Sequence, residues 1–527
     1  MKAFAATLDR LSYTPSRNDK LRLLAGYFAS TPDPDRGYAL AALTDGLFFR
    51  LPLRRILTDL IGSRVDPVLF NLSRDYVGDT AETIALIWPG GGASAKPPRL
   101  ASVVEALQAA APAEVPGLLA GWLDQLDATG RWALLKLMTG ALRVGVSARL
   151  TKTALAEWSG LPLADIEEVW HALRPPYGEL FDWLKGKSAR PSSEGRAAFR
   201  PLMLSHQIDD KELAVIAPQD FVAEWKWDGI RVQAAHQAGE KRLFSRTGDD
   251  ISGSFPEVVE ALPEGVVLDG ELLVMRNGEV ASFNDLQQRL NRKVVSGALL
   301  KSHPAHIRLY DILFEGGEDL RALPFARRRA RLEAWHKANA PGCTDLSTLI
   351  GFNSVDELKT LWEGARETGI EGLMLKRRDS PYLAGRPKGH WYKWKRAPLV
   401  IDAVLMYAQR GSGKRSSYYS DYTFGAWRDS DAGGPELVPV GKSYFGFTDE
   451  ELKELDRWVR NHTVDSFGPV RQVEPKLVFE VAFDSVHRSS RHKSGVAMRF
   501  PRINRIRWDK PAAEADRLDT LQAMIVG

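Results

Sequence analysis

The sequence predicts a multidomain chain: an all-α N-terminal domain, an α+β middle domain and an all-β C-terminal domain. Three observations predict it. Apolar residues recur at helical spacing through roughly the first 200 positions, with no convincing strand alternation. Alternating strand patterns and turn signals begin near residue 202 and are mixed with helical stretches. From about residue 398 the chain reads as five strands interrupted by one helix. The boundaries follow these changes: 1–200, 201–397 and 398–527. Three domains is also what 527 residues suggest on length alone.

In the first region, Leu21, Leu23, Leu24 and Phe28 start an amphipathic helix behind Ser16 and Asn18 as candidate caps. Further helices are expected near 100–111, 116–126, 131–143, 148–158 and 163–173. Pro89 to Pro98 is Gly-rich and reads as a loop. The run Leu134 to Ser147 ends a helix at Gly140 beside Arg143, and Arg143, Arg149 and Lys152 are candidates for meeting phosphates. Ser188 to Arg200 is rich in Ser, Arg and Pro and reads as a linker.

The middle region opens on Glu224-Trp225-Lys226-Trp227-Asp228-Gly229-Ile230-Arg231. If residues 222 to 228 are extended, Glu224, Lys226 and Asp228 share one face, and Trp225 and Trp227 the other. A lysine held against apolar surface loses hydration, which frees its lone pair and suits it to covalent nucleophilic work. The bland alternative for this stretch alone is a half-buried strand with a salt-bridged lysine. Ser245-Arg246-Thr247-Gly248 closes a strand on a basic turn. Val266 to Met275 and Glu279 to Phe283 flank Asn277-Gly278, a hairpin signal. Arg308 to Phe314 is another strand. Ser354 and Glu357 form a capping box for a helix carrying Leu358, Leu361 and Trp362 and stopped by Gly369. Two strands follow, Ile370 to Lys376 and Trp391 to Lys395.

In the last region, strands are expected near 399–409, 421–428, 437–444, 476–486 and 498–508. A helix at 449–461 is capped by Thr448 and Glu451, with Leu452, Leu455 and Val459 as its apolar stripe. Five strands with a helix after the third suit a small Greek-key barrel of the OB type. Residues 487–510 carry eight Lys or Arg against one acidic residue, interleaved with Met498, Phe500, Ile503, Ile506 and Trp508. A phosphate-facing strand surface explains that mixture better than a solvated charge run.

Composition narrows the class. Apolar content of 44% and charged content of 26% are ordinary for a globular chain. A formal charge of only +4 means that any polyanion site comes from local clustering. The single cysteine, Cys343, excludes a disulfide framework and a multi-cysteine zinc module. The start of the chain meets charge at Lys2, Asp9 and Arg10, too early for a signal peptide, and no apolar run approaches the ~18 residues of a membrane span. An intracellular setting without a membrane is expected, cytoplasmic or nucleoid if bacterial.

Six motifs stand in order: Lys226-Trp-Asp228-Gly229, Ser245-Arg246-Thr247-Gly248, Leu268-Asp269-Gly270-Glu271-Leu272, Glu371-Gly372-Leu373-Met374-Leu375-Lys376, Trp391-Tyr392-Lys393-Trp394-Lys395 and Arg507-Trp508-Asp509-Lys510. Each alone is weak. Together their order and spacing closely resemble the covalent nucleotidyltransferases, and specifically the ATP-dependent DNA ligases. The resemblance covers the whole chain, including Ser73 to Thr83 and Leu134 to Ser147, which are similar to that family's helical DNA-binding domain. It implies a helical DNA-binding domain, an adenylation domain and an OB domain.

The resemblance also implies roles. Lys226 carries AMP as a phosphoramidate, its neutral form favoured by burial and by the neighbouring cations. Lys393 and Lys395, two apart on a strand, grip the α-phosphate. Glu371 is the metal carboxylate, and Glu271 contacts the ribose hydroxyl and shares in metal binding. Arg231 and Arg246 hold ribose and phosphates. Tyr310 stands where the family stacks a phenylalanine on adenine, Glu224 falls on the adenine-pocket contact, and Arg386 matches a basic residue ahead of the lysine pair. Arg507 and Lys510 orient the leaving pyrophosphate, and the barrel then swings about a hinge near Arg396-Ala397-Pro398. ATP and Mg²⁺, or Mn²⁺, are the implied cofactors, nicked duplex DNA the implied partner, and a monomer the expected state. NAD⁺-dependent DNA ligases fit poorly because they resemble chains with a four-cysteine zinc module. RNA ligases and capping guanylyltransferases share the core but leave the helical first third unexplained. A non-catalytic DNA clamp has no reason to keep Lys226, Glu371 and Lys393.

Overall fold

The computed structural model describes all residues except 48, 50, 91–96, 141, 193–195, 291, 293–294, 365–369, 396, 412–418, 431–432, 445, 491 and 526–527. Parts of the expected loop at Pro89 to Pro98 and of the linker at Ser188 to Arg200, the helix stop at Gly369, and Arg396 of the expected hinge therefore lie outside the described residues. The chain has a helical N-terminal region, a mixed α and β middle with two sheets, and a β-rich C-terminal region. Its contacts divide it into two units. One holds Met1–Leu23, Ser30–Val146 and Ala397–Gly527; the other holds Leu24–Ala29 and Ser147–Arg396.

The helices start and stop where local chemistry says they should. Asp127 accepts from Gly130 N at 2.7 Å to begin Ala128–Thr139, and Gly140 ends it at φ +66°, a left-handed conformation that glycine adopts without a Cβ penalty. Ser16 accepts from Asp19 N at 3.3 Å as a cap, whereas Asn18 falls inside the helix Arg17–Ser30. The helix Ala148–Ser159 and those after it, as far as Gly178–Leu184, join the second unit. Glu168 pairs there with Arg190 at 2.8 Å and with Arg321. These links span 22 and 153 residues, so no local pattern foretells them.

In the second unit one sheet runs, in spatial order, His206–Gln207, Trp391–Lys395, Gly372–Arg377, Phe221–Lys226 and Leu349–Ile350. Alternation along it sorts the side chains. Ala223, Leu373 and Leu375 face an apolar cluster with Leu358 of the helix Val355–Gly364, joined by Trp225, Trp362, Tyr392 and Trp394. Glu224, Lys226, Lys376, Lys393 and Lys395 take the opposite face, as the cross-strand register requires. The second sheet carries Glu240–Ser245, Ile230–Gln237, Val266–Arg276 and Ala305–Glu315. Val222, Ala235, Val267, Leu313, Phe325 and Trp391, contributed by both sheets and the helix beside them, form a shared core.

Two local expectations change. The Lys226 strand ends at Lys226, so Trp227 and Asp228 are outside it and the two-face pattern stops two residues earlier than predicted. The hairpin turns at Asn277 and Gly278, at φ +52° and +84°, but its second arm is only Glu279–Val280, because Ser282 caps a helix over Phe283–Gln287. Ser354 caps its helix as expected, accepting from Glu357 N at 3.1 Å. The return bond from Glu357 goes to Asn353 N at 2.7 Å rather than to Ser354.

The β-rich region has nine strands among its described residues where five were read. The expected strand at 498–508 breaks at Phe500-Pro501, where Phe500 sits at φ +51° and proline cannot donate to the ladder. The expected strand at 476–486 breaks at Asp484. Thr463–Phe467 and Val470–Val473 form a short polar hairpin too weakly patterned to read. Thr448 and Glu451 make a reciprocal capping box, and Leu455 and Val459 are fully buried.

Candidate active site

The charged face of the first sheet and one face of the second meet their partners beyond the apolar core the sheets share. On the first sheet Lys226, Gly372 and Lys395 lie in one cross-strand row, and Glu224, Met374 and Lys393 in the next. Gly372 is at φ +143°, and a Cβ there would lie 2.2 Å from Trp394 O. Only glycine lets the three strands close up between the two lysines. Glu371, just before that strand, accepts from Lys226 Nζ at 2.5 Å and lies 3.5 Å from Lys395 Nζ. Lys226 and Glu371 are each about one-fifth exposed, so the pair is reachable from solution. The lysine lies in the electrostatic neighbourhood of Lys393, as expected, and its ion-pair partner is the Glu371 carboxylate.

Burial lowers the Lys393 ammonium below the ordinary lysine range, and Lys395, Arg386, Lys226 and Arg246 lower it further. These residues therefore form one electrostatic neighbourhood, and Arg386 belongs to it. Arg246 is likewise lowered, by burial first and then by Arg231 and Arg386.

The second sheet contributes Arg231, opposite Glu271 in the register. Arg231 donates from Nε and Nη2 to both oxygens of Asp269 at 3.0 and 2.7 Å, from Nη1 to Met203 O at 2.7 Å and from Nη2 to the Tyr382 hydroxyl at 3.2 Å. Tyr382 in turn donates to Asp269 at 2.6 Å. The arginine is thus held rigid, and most of its N–H groups are already spent. Burial pushes the Glu271 carboxyl up to about 8, with Lys226 and Arg231 opposing and Glu371 and Asp269 adding. The strand bulges where Asp269 faces Asp311 and Gly270 faces Leu309, leaving Tyr310 as the extra residue. A bulge re-aims a side chain, and the Tyr310 ring lies 4.4 Å from Lys376 Nζ and 5.7 Å from the Arg231 guanidinium.

Glu224 is almost fully buried. It lies 2.6 Å from Lys376 and 3.7 Å from Arg329, and its Oε1 has no hydrogen-bond partner. Lys376 sits over the rings of Tyr310, Phe325 and Trp391. Asp269, Tyr382, Lys376 and Arg329 had no assigned role in the sequence reading. Asp269 and Lys376 lie inside quoted motifs, but Tyr382 and Arg329 carry no local signal.

Among the described residues no group of three or more His, Cys, Asp or Glu side chains gathers to hold a metal. Glu271 and Glu371 still fit a divalent ion. They are hard oxygen donors whose mutual repulsion is already felt at Glu271, and Mg²⁺ needs few protein ligands beyond waters and phosphate.

The remaining predicted residues lie elsewhere. Arg507 and Lys510 belong to the other unit, where both bond to Asp402. Arg143 and Arg149 are exposed. Lys152 corrects the sequence reading. It is 5% exposed and lies 4.7 Å over the Trp170 ring, because its helix turns Thr151, Lys152 and Leu155 inward, so it cannot meet a phosphate backbone.

Family models of the "ATP dependent DNA ligase domain" and the "ATP dependent DNA ligase C terminal region" match residues 202–395 and 415–510. A probable DNA ligase of Koribacter versatilis is 32% identical, covering 98% of this chain and 95% of that protein. The chain belongs to the ATP-dependent DNA ligases. DNA ligase 1 of Korarchaeum cryptofilum is 30% identical over 99% and 97% of the two chains. A solved structure, Pmar-Lig_Pre, shares the fold at 16% identity, with a TM-score of 0.58 over 96% of this chain and 99% of that one. The matched segments place five of the six ligase motifs, all but the last strand's, inside the first family model, and Arg507 to Lys510 at the end of the second. No helix among the described residues is long and apolar enough to cross a membrane.

Proposed function

We propose that this ligase seals nicks in duplex DNA through a lysyl-AMP on Lys226. The carrying observation is the row of Lys226, Gly372 and Lys395, with the Glu371 carboxylate at 2.5 Å from the amine and Lys393 one row away. A nucleophile, a metal-binding carboxylate and two cations on one accessible sheet face are what phosphoryl transfer asks of a protein, since positioning and charge neutralisation do most of the work.

In the first step the Lys226 amine attacks the α-phosphorus of ATP. An N–P bond forms, the bond to the bridging oxygen breaks, and pyrophosphate leaves. Lys393 and Lys395 hold the α-phosphate oxygens, and Arg507 and Lys510 take the pyrophosphate. Glu224 Oε1, buried and unbonded, is free to accept from the adenine amine, and Tyr310 stacks on the ring. Glu271 and the rigid Arg231 meet the ribose, while Arg246 and Arg386 meet phosphate. Glu371 and Glu271 would hold Mg²⁺ or Mn²⁺, which neutralises charge on the transferring phosphoryl group when bound. AMP then passes from Lys226 to the 5′-phosphate at the nick. The 3′-hydroxyl displaces it, forming the phosphodiester and releasing AMP. The β-rich region, read as an OB barrel, and the helical region with Arg143 and Arg149 hold the duplex, and the chain works as a monomer.

Peptide-resolved mass spectrometry after incubation with ATP and Mg²⁺, beside sealing of a 5′-labelled nicked duplex, tests this. The expected result is one AMP adduct on Lys226 and sealed DNA. An adduct formed only with GTP, or charging with sealing of RNA alone, would overturn it.

A further inference from the structure

Arg507 and Lys510 converge on one oxygen. Arg507 Nη1 lies 3.2 Å and Lys510 Nζ 2.8 Å from Asp402 Oδ2, so the two cations stand within about 6 Å of each other. Asp402 is well placed to hold them. Its backbone N–H donates to Asp516 Oδ2 at 2.7 Å and its carbonyl accepts from Asp516 N at 2.9 Å, which pins the strand locally. Alternation turns Ile401 into the apolar core and Asp402 out. The register sets Asp402 opposite Glu480, and Glu480 opposite Arg505, on the same outward face. Glu480 does not compete for the pair, because its carboxylate is taken by Asn504 at 2.5 Å and Arg505 at 3.2 Å.

The donors are divided in a way that leaves some free. Arg507 gives Nε and Nη2 to Asp509 at 3.0 and 2.8 Å and one Nη1 hydrogen to Asp402. Lys510 gives one of its three hydrogens to Asp402. The other Asp402 oxygen, Oδ1, is buried and accepts nothing. Asp402 thus makes few structural bonds through its side chain beyond gathering two like charges that would otherwise repel.

We propose that Asp402 is a positioning residue for the lysine-charging step: it assembles Arg507 and Lys510 into a ready-made grip for the leaving pyrophosphate. The proposal rests on the reading that these two cations serve pyrophosphate. Pre-assembly matters because a grip that must form during the reaction costs orientation each time. The later steps release no pyrophosphate and do not need it.

The test compares the full-length chain with Asp402→Asn in two assays. One follows charging of Lys226 over a range of ATP concentrations. The other seals a duplex carrying a synthetic 5′-adenylated nick, which bypasses charging. The expected result is a fall in charging on the order of 10²-fold, with sealing of the adenylated nick within about threefold of wild type. Asp402→Ala should behave the same way, since it too releases the pair. Equal losses in both assays would assign Asp402 a merely structural role and overturn the proposal, as would no loss in either. Faster charging would also overturn it, since Asp402 would then compete with pyrophosphate. A wild-type chain that does not charge sinks the underlying reading as well; a charging wild type with an indifferent Asp402→Asn sinks this proposal alone.

Discussion

Two ionic clusters share the strand Phe221–Lys226 two residues apart, and they are built for different ends. At Glu224 and Lys376 both side chains are 2% exposed, Arg329 completes the charge, and three aromatic rings surround the lysine. At Lys226 and Glu371 the exposures are 21% and 22%, and the shared partner Lys395 is 36% exposed. The first cluster is closed around its ion pair, and Glu224 Oε1 is left without a hydrogen-bond partner. The second is open on one side, as the proposed exchange of its contacts for a nucleotide requires. Burial pushes the Glu224 carboxyl up, and Lys376 pulls it back. Removing a partner from such a pair leaves a stranded charge, which costs far more than the pair itself contributes.

The largest effect that separates the clusters is chemical. Lys226→Ala should lose the AMP adduct and nick sealing entirely while keeping nicked-duplex affinity and the wild-type melting curve; adduct on any other lysine would break the comparison. Next comes the sealed cluster. Lys376→Met should destabilise the fold by about 3–5 kcal/mol in denaturant unfolding, because Glu224 keeps only the more distant Arg329. A loss under about 1 kcal/mol would mean that the cluster is not sealed.

A third ionisable group, half-buried with its Nε2 fully covered, sharpens the contrast by depending on pH. His171 packs against Phe244 at 4.6 Å, its Nε2 is buried without a hydrogen-bond partner, and burial, reinforced by Lys152, lowers it from 6.5 to about 4. A depressed folded-state value means that the folded chain binds the proton less readily than the unfolded chain. The resulting stability is fully present above about pH 6.5 and is lost as pH falls through about 4. It amounts to at most about 3 kcal/mol. Melting of His171→Phe across that window should show a shallower acid loss than wild type. The smallest effect belongs to the open cluster. Lys395→Ala should change stability by no more than about 1 kcal/mol, since its charge is partly solvated, while slowing AMP loading.

What the sequence made legible was local. The opposition of Trp225 to Glu224 and Lys226, and the common side of Lys393 and Lys395, follow from a period of two and survive in the register. The caps at Thr448 and Gly140 follow from neighbouring residues. What it hid depends on distant segments. The family resemblance marks Arg231 as a ligand contact, and acceptors 28, 38 and 151 positions away hold most of its N–H groups. Lys152 looked like a surface cation until Trp170 was folded over it. The bulge that frees Tyr310 is a mismatch between two strands, so neither strand alone displays it.

The most direct test of the contrast is the single-turnover rate of AMP loading onto Lys226 in Glu371→Gln, with the melting curve of the same sample. The open cluster should lose loading by at least about 10²-fold, the several kcal/mol that a metal-holding carboxylate supports, with an unchanged melt. Loading at the wild-type rate, or a melt lowered as far as in Lys376→Met, would contradict the division between an open ion pair that can exchange its contacts and a buried one that holds the fold.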